Sequence, residues 1–432
     1  MNLRPRALLL AVLTVILAVL GEWNGGAALA RLWALPAGLL LLGLAVEALR
    51  VRRVTLGLTV RAPAHWPLAR PQPVAFEFLQ RGRHTLPIEV VLDAPGEFTT
   101  QPRVESCALT DGVAATLRLI ATPRRLGQYA WPAPLLRAGG MLSLAWWSMP
   151  VSTTFTTTVI PDMASRFDPR RADQAGGAAR NRVRGSGTEV LQLRDYRPLD
   201  PVRLVDWKAS ARRGRLISRE YSEDQHLTVM IAIDAGRASG LGAGELDRLS
   251  LYATVAARLA QRATQFDDAI GLLLFAAQPL AALAPARGQR AVTRMIELLT
   301  ACRVQPSESN PVVAAAHLRA LLQRRSLIVL LTDVEDAFVG EQLGRAVRLL
   351  TPKHLSFIAA LGSERIAALP RDGARDGLAA YRAVAAQDYA ETLAGNLRAL
   401  KNLGAATVMA RPGNLDHAVL TAYQDFRDRR RV

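Results

Sequence analysis

The chain has 432 residues, 50% of them hydrophobic, and a formal net charge of +17 at pH 7. That apolar fraction can fill the cores of two or three domains, and it excludes an intrinsically disordered chain. The two cysteines, Cys107 and Cys302, lie far apart in the sequence, which excludes a disulfide framework and a cysteine-based metal site. The positive charge predicts an anionic partner, either nucleic acid or the headgroups of a membrane.

Two apolar stretches without charged residues open the chain, at residues 7–20 and 32–46. Each is slightly shorter than the ~20 residues that cross a bilayer core, and weakly polar flanks extend both. We therefore predict a transmembrane helical hairpin over residues 1–53, with a turn near residues 24–26. A cleavable signal peptide is the alternative for the first stretch, but the second stretch follows at once and no small-x-small cleavage site separates them. A buried pair of soluble helices is a further alternative.

The arginines that flank this hairpin predict its orientation. Two precede the first stretch and three follow the second, whereas a single arginine lies in the connecting turn. Because positive residues are enriched on the cytoplasmic side, both ends of the hairpin are predicted to face the cytoplasm. We expect a two-pass protein of the bacterial inner (cytoplasmic) membrane with its soluble bulk in the cytoplasm. The arginines are Arg4, Arg6, Arg50, Arg52 and Arg53, and Arg31 in the turn.

Residues 54–161 alternate short β-type runs with proline and glycine, which is typical of an antiparallel β-sandwich. Their acidic residues are dispersed, so no catalytic site is predicted there. Residues 139–150 place Trp146 beside Trp147 in a largely apolar run. We interpret this run as an edge packed on the core or on the hairpin, with a membrane-facing or partner-facing lip as the alternative. The predicted strands are residues 54–60, 73–80, 86–93, 114–121 and 153–160.

Residues 162–226 form a basic linker followed by a segment of mixed charge. Between positions 166 and 219 there are fourteen Lys or Arg and six Asp or Glu, a surplus of eight positive charges. In the second half, acids and bases interleave around Tyr196 and Trp207, which favours internal ion pairs over a bare basic tail. The candidate interaction residues are Arg194, Asp195, Tyr196, Arg197, Asp200, Arg203, Asp206, Trp207, Lys208 and Arg212, with Glu220, Glu223 and Asp224 adding acidic charge beside them.

From residue 227 to residue 432, continuous apolar strands alternate with helical segments. This alternation predicts a parallel sheet covered on both faces, and right-handed crossovers make it a doubly wound, Rossmann-like domain. The predicted fold class is therefore α/β plus β. The strands are predicted at residues 227–234, 269–275, 326–333, 354–361 and 406–410, and the helices at 246–266, 292–302, 311–324, 340–350, 385–403 and from 414 onwards.

The run RDYRPLDPVRLVDWKASARRGRLISREY, residues 194–221, resembles the signature of the domain-of-unknown-function 58 family. Members of that family carry an Arg-x-Tyr, an Ile-Asp-Trp-Lys and an Ala-Arg immediately before a von Willebrand A-like domain. The apolar pair, the β-rich region and the α/β region also follow the family's order. The resemblance implies a von Willebrand A-like domain over residues 227–432. It also implies a MoxR-type AAA+ ATPase as the protein partner.

Two acids follow predicted strands at the carboxyl edge of the sheet, where ligands bind in such folds: Asp234 and Asp333. The resemblance implies a divalent cation there, held by Asp-x-Ser-x-Ser, a threonine and an aspartate. Here Gly236 and Ala238 replace both hydroxyl residues of the first loop, and Ser309 is the candidate substitute for the threonine. We therefore expect no cofactor, and weakly held magnesium is the alternative. Without a cation, these acids are expected to cap helices or to pair with arginines.

No nucleotide-binding, hydrolase, zinc-protease or Cys-x-x-Cys motif occurs in the chain, so an enzyme is not expected. The first hypothesis is a membrane-anchored, non-enzymatic interaction or assembly protein that docks a protein partner. The alternative is a membrane-tethered nucleic-acid-binding protein, which requires Trp207 and Tyr196 to be exposed. Nucleic acid is the less favoured partner. A hydrolase built on Asp234 and Asp333 ranks last because it lacks a nucleophile.

Overall fold

The structure is a computed structural model with a mixed α/β fold. It divides into two compact units. Unit 1 comprises Met1–Asp162, Gly244–Ser250 and Glu297–Cys302, and unit 2 comprises Met163–Ala243, Leu251–Ile296 and Arg303–Val432. The residues that the structure describes are 2–23, 31–81, 85–101, 104–140, 142–164, 184–198, 200–222, 226–362 and 378–429.

Two apolar helices open unit 1, α1 (Pro5–Trp23) and α2 (Ala34–Arg52), each of 19 residues. At ~1.5 Å per residue each is about 28 Å long, close to the ~30 Å of a bilayer's hydrocarbon core. Both are long and apolar enough to span a membrane. Only 11% and 17% of their most apolar windows are buried, which does not fit a soluble core pair. The predicted turn at residues 24–26 lies outside the described residues.

Three β-sheets make up the rest of unit 1. A five-stranded sheet has the order β1-β11-β10-β5-β7, a four-stranded sheet has the order β2-β4-β8-β6, and β3-β12-β9 form the third. Pairing is antiparallel except between β3 and β12, which run parallel. The strands are β1 (Asn2–Leu3), β2 (Thr55–Arg61), β3 (His65–Pro67), β4 (Gln72–Arg81), β5 (Leu86–Val91), β6 (Phe98–Gln101), β7 (Val104–Leu109), β8 (Ala114–Pro123), β9 (Gly127–Ala130), β10 (Leu135–Gly139), β11 (Ala145–Met149) and β12 (Thr156–Ile160).

Aromatic side chains fill the interior of these sheets. The ring centroids of Trp66 and Phe98 lie 5.5 Å apart at a steep angle, and Trp131 stacks on Phe155 at 5.0 Å. Trp66 is fully buried and donates its indole N–H to the carbonyl of Pro63. The β-rich part of unit 1 thus contains a cluster of packed aromatic side chains.

The first described element of unit 2 is a β-hairpin, where the sequence predicts only a linker and a segment of mixed charge. Strand β13 (Arg184–Asp195) pairs antiparallel with β14 (Ile217–Ser222), and a short helix, α3 (Trp207–Arg213), lies on the connection. Residues 165–183, predicted as a linker, lie outside the described residues. We call residues 192–220 of this hairpin the signature hairpin.

A six-stranded sheet forms the centre of unit 2, with the order β19-β18-β15-β20-β21-β22. All strands are parallel except β19, which pairs antiparallel with β18 at the edge. The prediction omitted β19; its Pro279 and Pro285 suit an edge, where a missing N–H costs no ladder bond. The strands are β15 (Thr228–Asp234), β18 (Ala269–Phe275), β19 (Pro279–Ala286), β20 (Leu327–Leu331), β21 (Leu355–Leu361) and β22 (Ala406–Ala410), and two short strands, β16 (Gly242–Ala243) and β17 (Leu246–Asp247), precede β18.

Helices lie against both faces of this sheet. Successive strand residues point to opposite faces, and on β21 Phe357 packs against Phe426, whereas Ile358 joins a cluster that includes Leu318 and Val347. The sheet is therefore buried on both sides, as its continuous apolar strands require. The helices that follow α3 are α4 (Arg248–Gln265), α5 (Gln289–Ala301), α6 (Pro311–Leu321), α7 (Ala337–Leu350), α8 (Ala379–Asn402) and α9 (Leu415–Asp428).

Candidate functional site

The first turn of the signature hairpin is organised around Asp200. Both carboxylate oxygens of Asp200 accept hydrogen bonds of 2.6 Å from the guanidinium of Arg194, and one also accepts the backbone N–H of Arg197. The Arg194 hydrogen bonds, followed by that N–H, hold the pKa of Asp200 below its usual range. Tyr196 donates its hydroxyl to the carbonyl of Asp200 at 2.9 Å. Four of the predicted interaction residues thus hold this turn together, with Arg197 acting through its backbone N–H.

Asp206 plays the same part at the start of α3. Its side chain accepts the N–H of Ala209 at 3.0 Å, the hydrogen bond expected of a helix N-cap, and also the Nε–H of Arg219 at 2.9 Å. The bond to Arg219 is the main reason why the pKa of Asp206 is lowered. Ser210, on the buried side of α3, accepts a hydrogen bond from the N–H of Ile217 and so connects α3 to β14. The helix is fixed on its hairpin at both points.

The outer side of α3 has a different character. Trp207 is 64% exposed, and Lys208, Ala211 and Arg212 are exposed as well. Residues three and four positions apart lie on the same side of a helix, so Trp207 adjoins Ala211, and Lys208 adjoins Ala211 and Arg212. These four residues form a continuous surface, which we call the α3 face. Arg203, in the turn before the helix, is also exposed. Within the described part of the chain, no ion pair is found for Lys208, Arg212 or Arg203.

The remaining acidic side chains of the signature hairpin form ion pairs or hydrogen bonds within it. Asp195 forms an ion pair of 3.0 Å with Arg215, and Glu220 accepts a hydrogen bond of 2.5 Å from Gln192 and lies 3.5 Å from Arg194. Glu223 and Asp224 lie outside the described residues. Because the hairpin acids are neutralised internally, surplus positive charge remains on the surface, and Lys208 and Arg212 of the α3 face contribute to it.

A second cluster lies at the carboxyl edge of the central sheet and is centred on Asp234, which is 2% exposed. One carboxylate oxygen, Oδ1, accepts the N–H of Gly236 at 2.8 Å and the hydroxyl of Ser309. The other, Oδ2, accepts the hydroxyl of Thr332 at 2.8 Å. A Cβ at position 236 would overlap the Ser309 hydroxyl, so glycine is required for this close approach.

Of the three candidate metal ligands, Ser309 lies next to Asp234, whereas neither carboxylate oxygen of Asp234 is bonded to Asp333. Asp333 accepts the N–H of Glu335 at 3.0 Å, and the hydroxyl of Ser239 is turned to the carbonyl of Asp234. The prediction missed Thr332, the hydroxyl residue directly after β20. The one sequence signal for it was a threonine that interrupts an apolar run immediately before an acid.

These residues, as placed, do not fit a magnesium site. Mg²⁺ requires near-octahedral oxygen ligands with free lone pairs, whereas the carboxylate of Asp234 already accepts three hydrogen bonds from the chain. On the loops that carry Gly236 and Ser309, Arg237 forms an ion pair with Glu308 and places a cation nearby. Among the residues that the structure describes, no group of three or more His, Cys, Asp or Glu could hold a metal ion.

Comparisons with known proteins give distant likenesses. No curated protein matches the chain. Among solved structures, a conserved hypothetical protein, BatB, from Bacteroides thetaiotaomicron is similar with 13% identity and a TM-score of 0.31, covering 46% of this chain and 98% of that one. The CARDB domain of the PF1109 protein from Pyrococcus furiosus, solved with di-metal ions, is similar with 11% identity and a TM-score of 0.17, covering 24% and 93%. A PapD-like domain of human CEP192 is similar with 14% identity and a TM-score of 0.18, covering 24% and 82%.

The match to a protein family covers the signature hairpin and a large part of the central sheet. It begins at Gln192 on β13, includes the α3 face and the Asp234 cluster, and ends at Leu378, directly before α8. The resemblance drawn from the run at residues 194–221 is thereby confirmed for this part of the chain. Residues 192–378 match the family described as "Protein of unknown function DUF58".

Proposed function

We propose that this chain is a membrane-anchored, non-enzymatic assembly protein that uses the α3 face to dock an acidic protein partner. One observation carries the proposal: Trp207 is 64% exposed beside Lys208 and Arg212, while the acids of the same hairpin are paired internally. An exposed tryptophan with unpaired cations around it has the composition of an interface centre, where tryptophan and arginine contribute most of the binding energy.

The way α3 is held supports this use. Asp206 caps the helix and Ser210 binds it to β14, so the α3 face is ordered before a partner arrives. A surface that is ordered in advance loses less entropy on binding, and a positive surface steers an acidic partner towards it. The resemblance adds a candidate for that partner, a MoxR-type AAA+ ATPase.

The architecture of the two units supports the finer fold that we propose. In unit 2, a mostly parallel sheet with β15 near its centre and helices on both faces supports a doubly wound, Rossmann-like domain, and the family resemblance suggests the von Willebrand A-like type. In unit 1, three largely antiparallel sheets and an aromatic core support a β-sandwich. In this proposal the Asp234 cluster stabilises the carboxyl edge and needs no cofactor.

The membrane anchor in this proposal is the pair α1 and α2. Trp23, 85% exposed, lies at the end of α1, and Trp33, 43% exposed, directly precedes α2, so both lie at one end of the pair. Arg50 and Arg52 lie at the other end. Tryptophans at one boundary and arginines at the other suit a bilayer, and the arginines favour a cytoplasmic placement of both units. We place the protein in the bacterial inner membrane on this basis.

A second candidate is nucleic-acid binding through the same surface, because the exposed Trp207 meets one condition for base stacking. The other condition, an exposed Tyr196, is met only in part. Tyr196 is half-buried, and its hydroxyl is bound to the carbonyl of Asp200. Single-stranded nucleic acid is usually bound by several aromatic side chains in series. We therefore keep the protein partner as the proposal.

A pull-down from detergent-solubilised membranes tests the proposal. The intact chain is compared with a Trp207→Ala, Lys208→Ala, Arg212→Ala variant, shown by its melting curve to remain folded. The matched control removes one exposed aromatic and two exposed cations of α8, as Tyr381→Ala, Arg398→Ala, Lys401→Ala.

We expect the parent and the control to recover a AAA+ ATPase and the α3 variant to lose it. Equal recovery by all three would contradict the proposal, and recovery of nucleic acid without a protein partner would replace it by the second candidate.

A further inference from the structure

The loop between β10 and β11 of unit 1 points to a second membrane contact. Leu142, Ser143, Leu144 and Ala145 form what we call the Leu142 turn, in which Ser143 has a left-handed backbone, φ 57°, and donates its N–H to the carbonyl of Gly140. We infer that the Leu142 turn enters the headgroup and acyl boundary of the leaflet next to unit 1. The inference rests on the proposed anchoring by α1 and α2 and adds a lipid-binding surface to it.

A buried carboxylate on α2 holds the turn. Glu47 is 2% exposed and accepts the backbone N–H groups of Leu144 and Ala145, both at 3.2 Å. It also accepts the indole N–H of Trp147 at 3.4 Å. A buried carboxylate at the end of an apolar stretch is costly unless such donors satisfy it. These hydrogen bonds fix the turn at one level along α2. The hydrogen bond from Trp147 to Glu47 agrees with packing of residues 139–150 on the pair of apolar helices.

The start of the chain binds the turn from its other side. Arg4, immediately before α1, donates its N–H to the carbonyl of Leu144 at 2.8 Å, and strand β1 pairs with β11. The guanidinium of Arg4 lies 4.1 Å from the centre of the Trp146 ring, within the range of a cation–π contact. The turn is thus bonded both to α2 and to the residues directly before α1.

The position along α2 that the Leu142 turn contacts determines how deep the turn lies in the bilayer. A Cβ at Gly43 would lie 2.6 Å from Cδ1 of Leu144 and 3.5 Å from Cδ1 of Leu142. Gly43 lies within the stretch without charged residues that ends at Val46, so at ~1.5 Å per residue it is about 4–5 Å inside that end. Amphipathic surfaces insert by a similar depth, about 5–10 Å.

The exposed groups at this level suit the boundary of a bilayer. Leu142 is 48% exposed although it is apolar, and Arg6, exposed on the first turn of α1, supplies a cation for anionic headgroups. A lipid leaflet would cover the Leu142 side chain without any further protein, because the helices beside it are themselves in contact with lipid in the proposed arrangement.

Spin labels in the full-length chain test the inference. In a Cys107→Ser, Cys302→Ser background, single cysteines are introduced as Leu142→Cys, Leu39→Cys and Val113→Cys, and each protein is labelled and placed in phosphatidylethanolamine–phosphatidylglycerol vesicles. Leu39 reports on α2, and Val113, an exposed residue at a turn of unit 1, is the aqueous control. Accessibility to oxygen, which partitions into lipid, is compared with accessibility to a water-soluble nickel chelate.

We expect the label at 142 to be at least about fivefold less accessible to nickel than the label at 113, while it stays accessible to oxygen. If 142 is as accessible to nickel as 113 while 39 is protected, the turn lies in water and the inference fails, but the anchor stands. If 142 is inaccessible to both reagents, protein covers it and the inference also fails. If 39 is open to nickel, the anchor fails, and the inference fails with it.

Discussion

Thr332 and Asp234, 98 residues apart in the chain, are joined by a hydrogen bond of 2.8 Å between Thr332 Oγ1 and Asp234 Oδ2 at the carboxyl edge of the central sheet. With Ser309 and the N–H of Gly236 on the other oxygen, the chain itself satisfies a carboxylate that the family resemblance assigns to a cation. The threonine hydroxyl is thus a stabilising donor to a buried carboxylate.

Replacing Thr332 by valine should destabilise unit 2. Thr332 is fully buried, and the substitution leaves Asp234 Oδ2 without its hydroxyl donor, at an expected cost of about 1–3 kcal/mol. Thr293→Val, at an exposed position on α5, serves as the control and should change stability by less than about 0.5 kcal/mol. Chemical denaturation measures both, and equal effects of the two changes would contradict the role given to Thr332.

Magnesium should leave the melting temperature of the parent protein unchanged, because the Asp234 carboxylate already accepts three hydrogen bonds from the chain, which a cation would have to displace. A thermal shift series from zero to ten millimolar magnesium, with calcium in parallel, measures this. A magnesium-dependent rise that disappears in an Asp234→Asn variant would instead show that a cation binds here and displaces the hydroxyl donors.

Truncating the Glu47 side chain should destabilise the protein more than removing its charge does. Glu47→Ala removes the acceptor for the N–H groups of Leu144 and Ala145, and each unpaired buried donor costs about 1–3 kcal/mol. Glu47→Gln retains one oxygen and should be milder. Melting curves in detergent compare both with the parent, and if the alanine variant melts no lower than the glutamine variant, Glu47 does not hold the Leu142 turn.

Protonation of the buried His354 should lower the stability of the protein in mild acid. It is 3% exposed, and burial first, then the charges of Lys353 and Arg319, lower its pKa. An unfolded histidine has a pKa of about 6.5, so between that value and the lower folded pKa the unfolded chain binds more protons. Stability should therefore fall as pH decreases below about 6.5. A His354→Leu variant should show a smaller loss between pH 7.5 and 5.5, and an unchanged loss would contradict this assignment.

The sequence predicts elements with strong local patterns and misses those that depend on distant residues. The apolar helices and the buried strands follow from residue type and period, as β15 and β20 show. Strand β19 was missed because a short run of alanine, leucine and proline has no distinct period. The partners of Asp234 and Asp206 were only partly predictable, since Thr332 and Arg219 reach them through sheet register and hairpin pairing.

Docking of a protein partner on the α3 face can be measured by a titration. The parent chain in detergent is titrated with a purified MoxR-type AAA+ ATPase from the same organism by calorimetry. Trp207→Ala and the control Tyr381→Ala, which removes another exposed aromatic residue of unit 2, are titrated in the same way. Truncating an aromatic residue at the centre of an interface costs about 2 kcal/mol, roughly thirtyfold in Kd. We predict that loss for Trp207→Ala alone. Binding of all three proteins within twofold of one another would contradict the account.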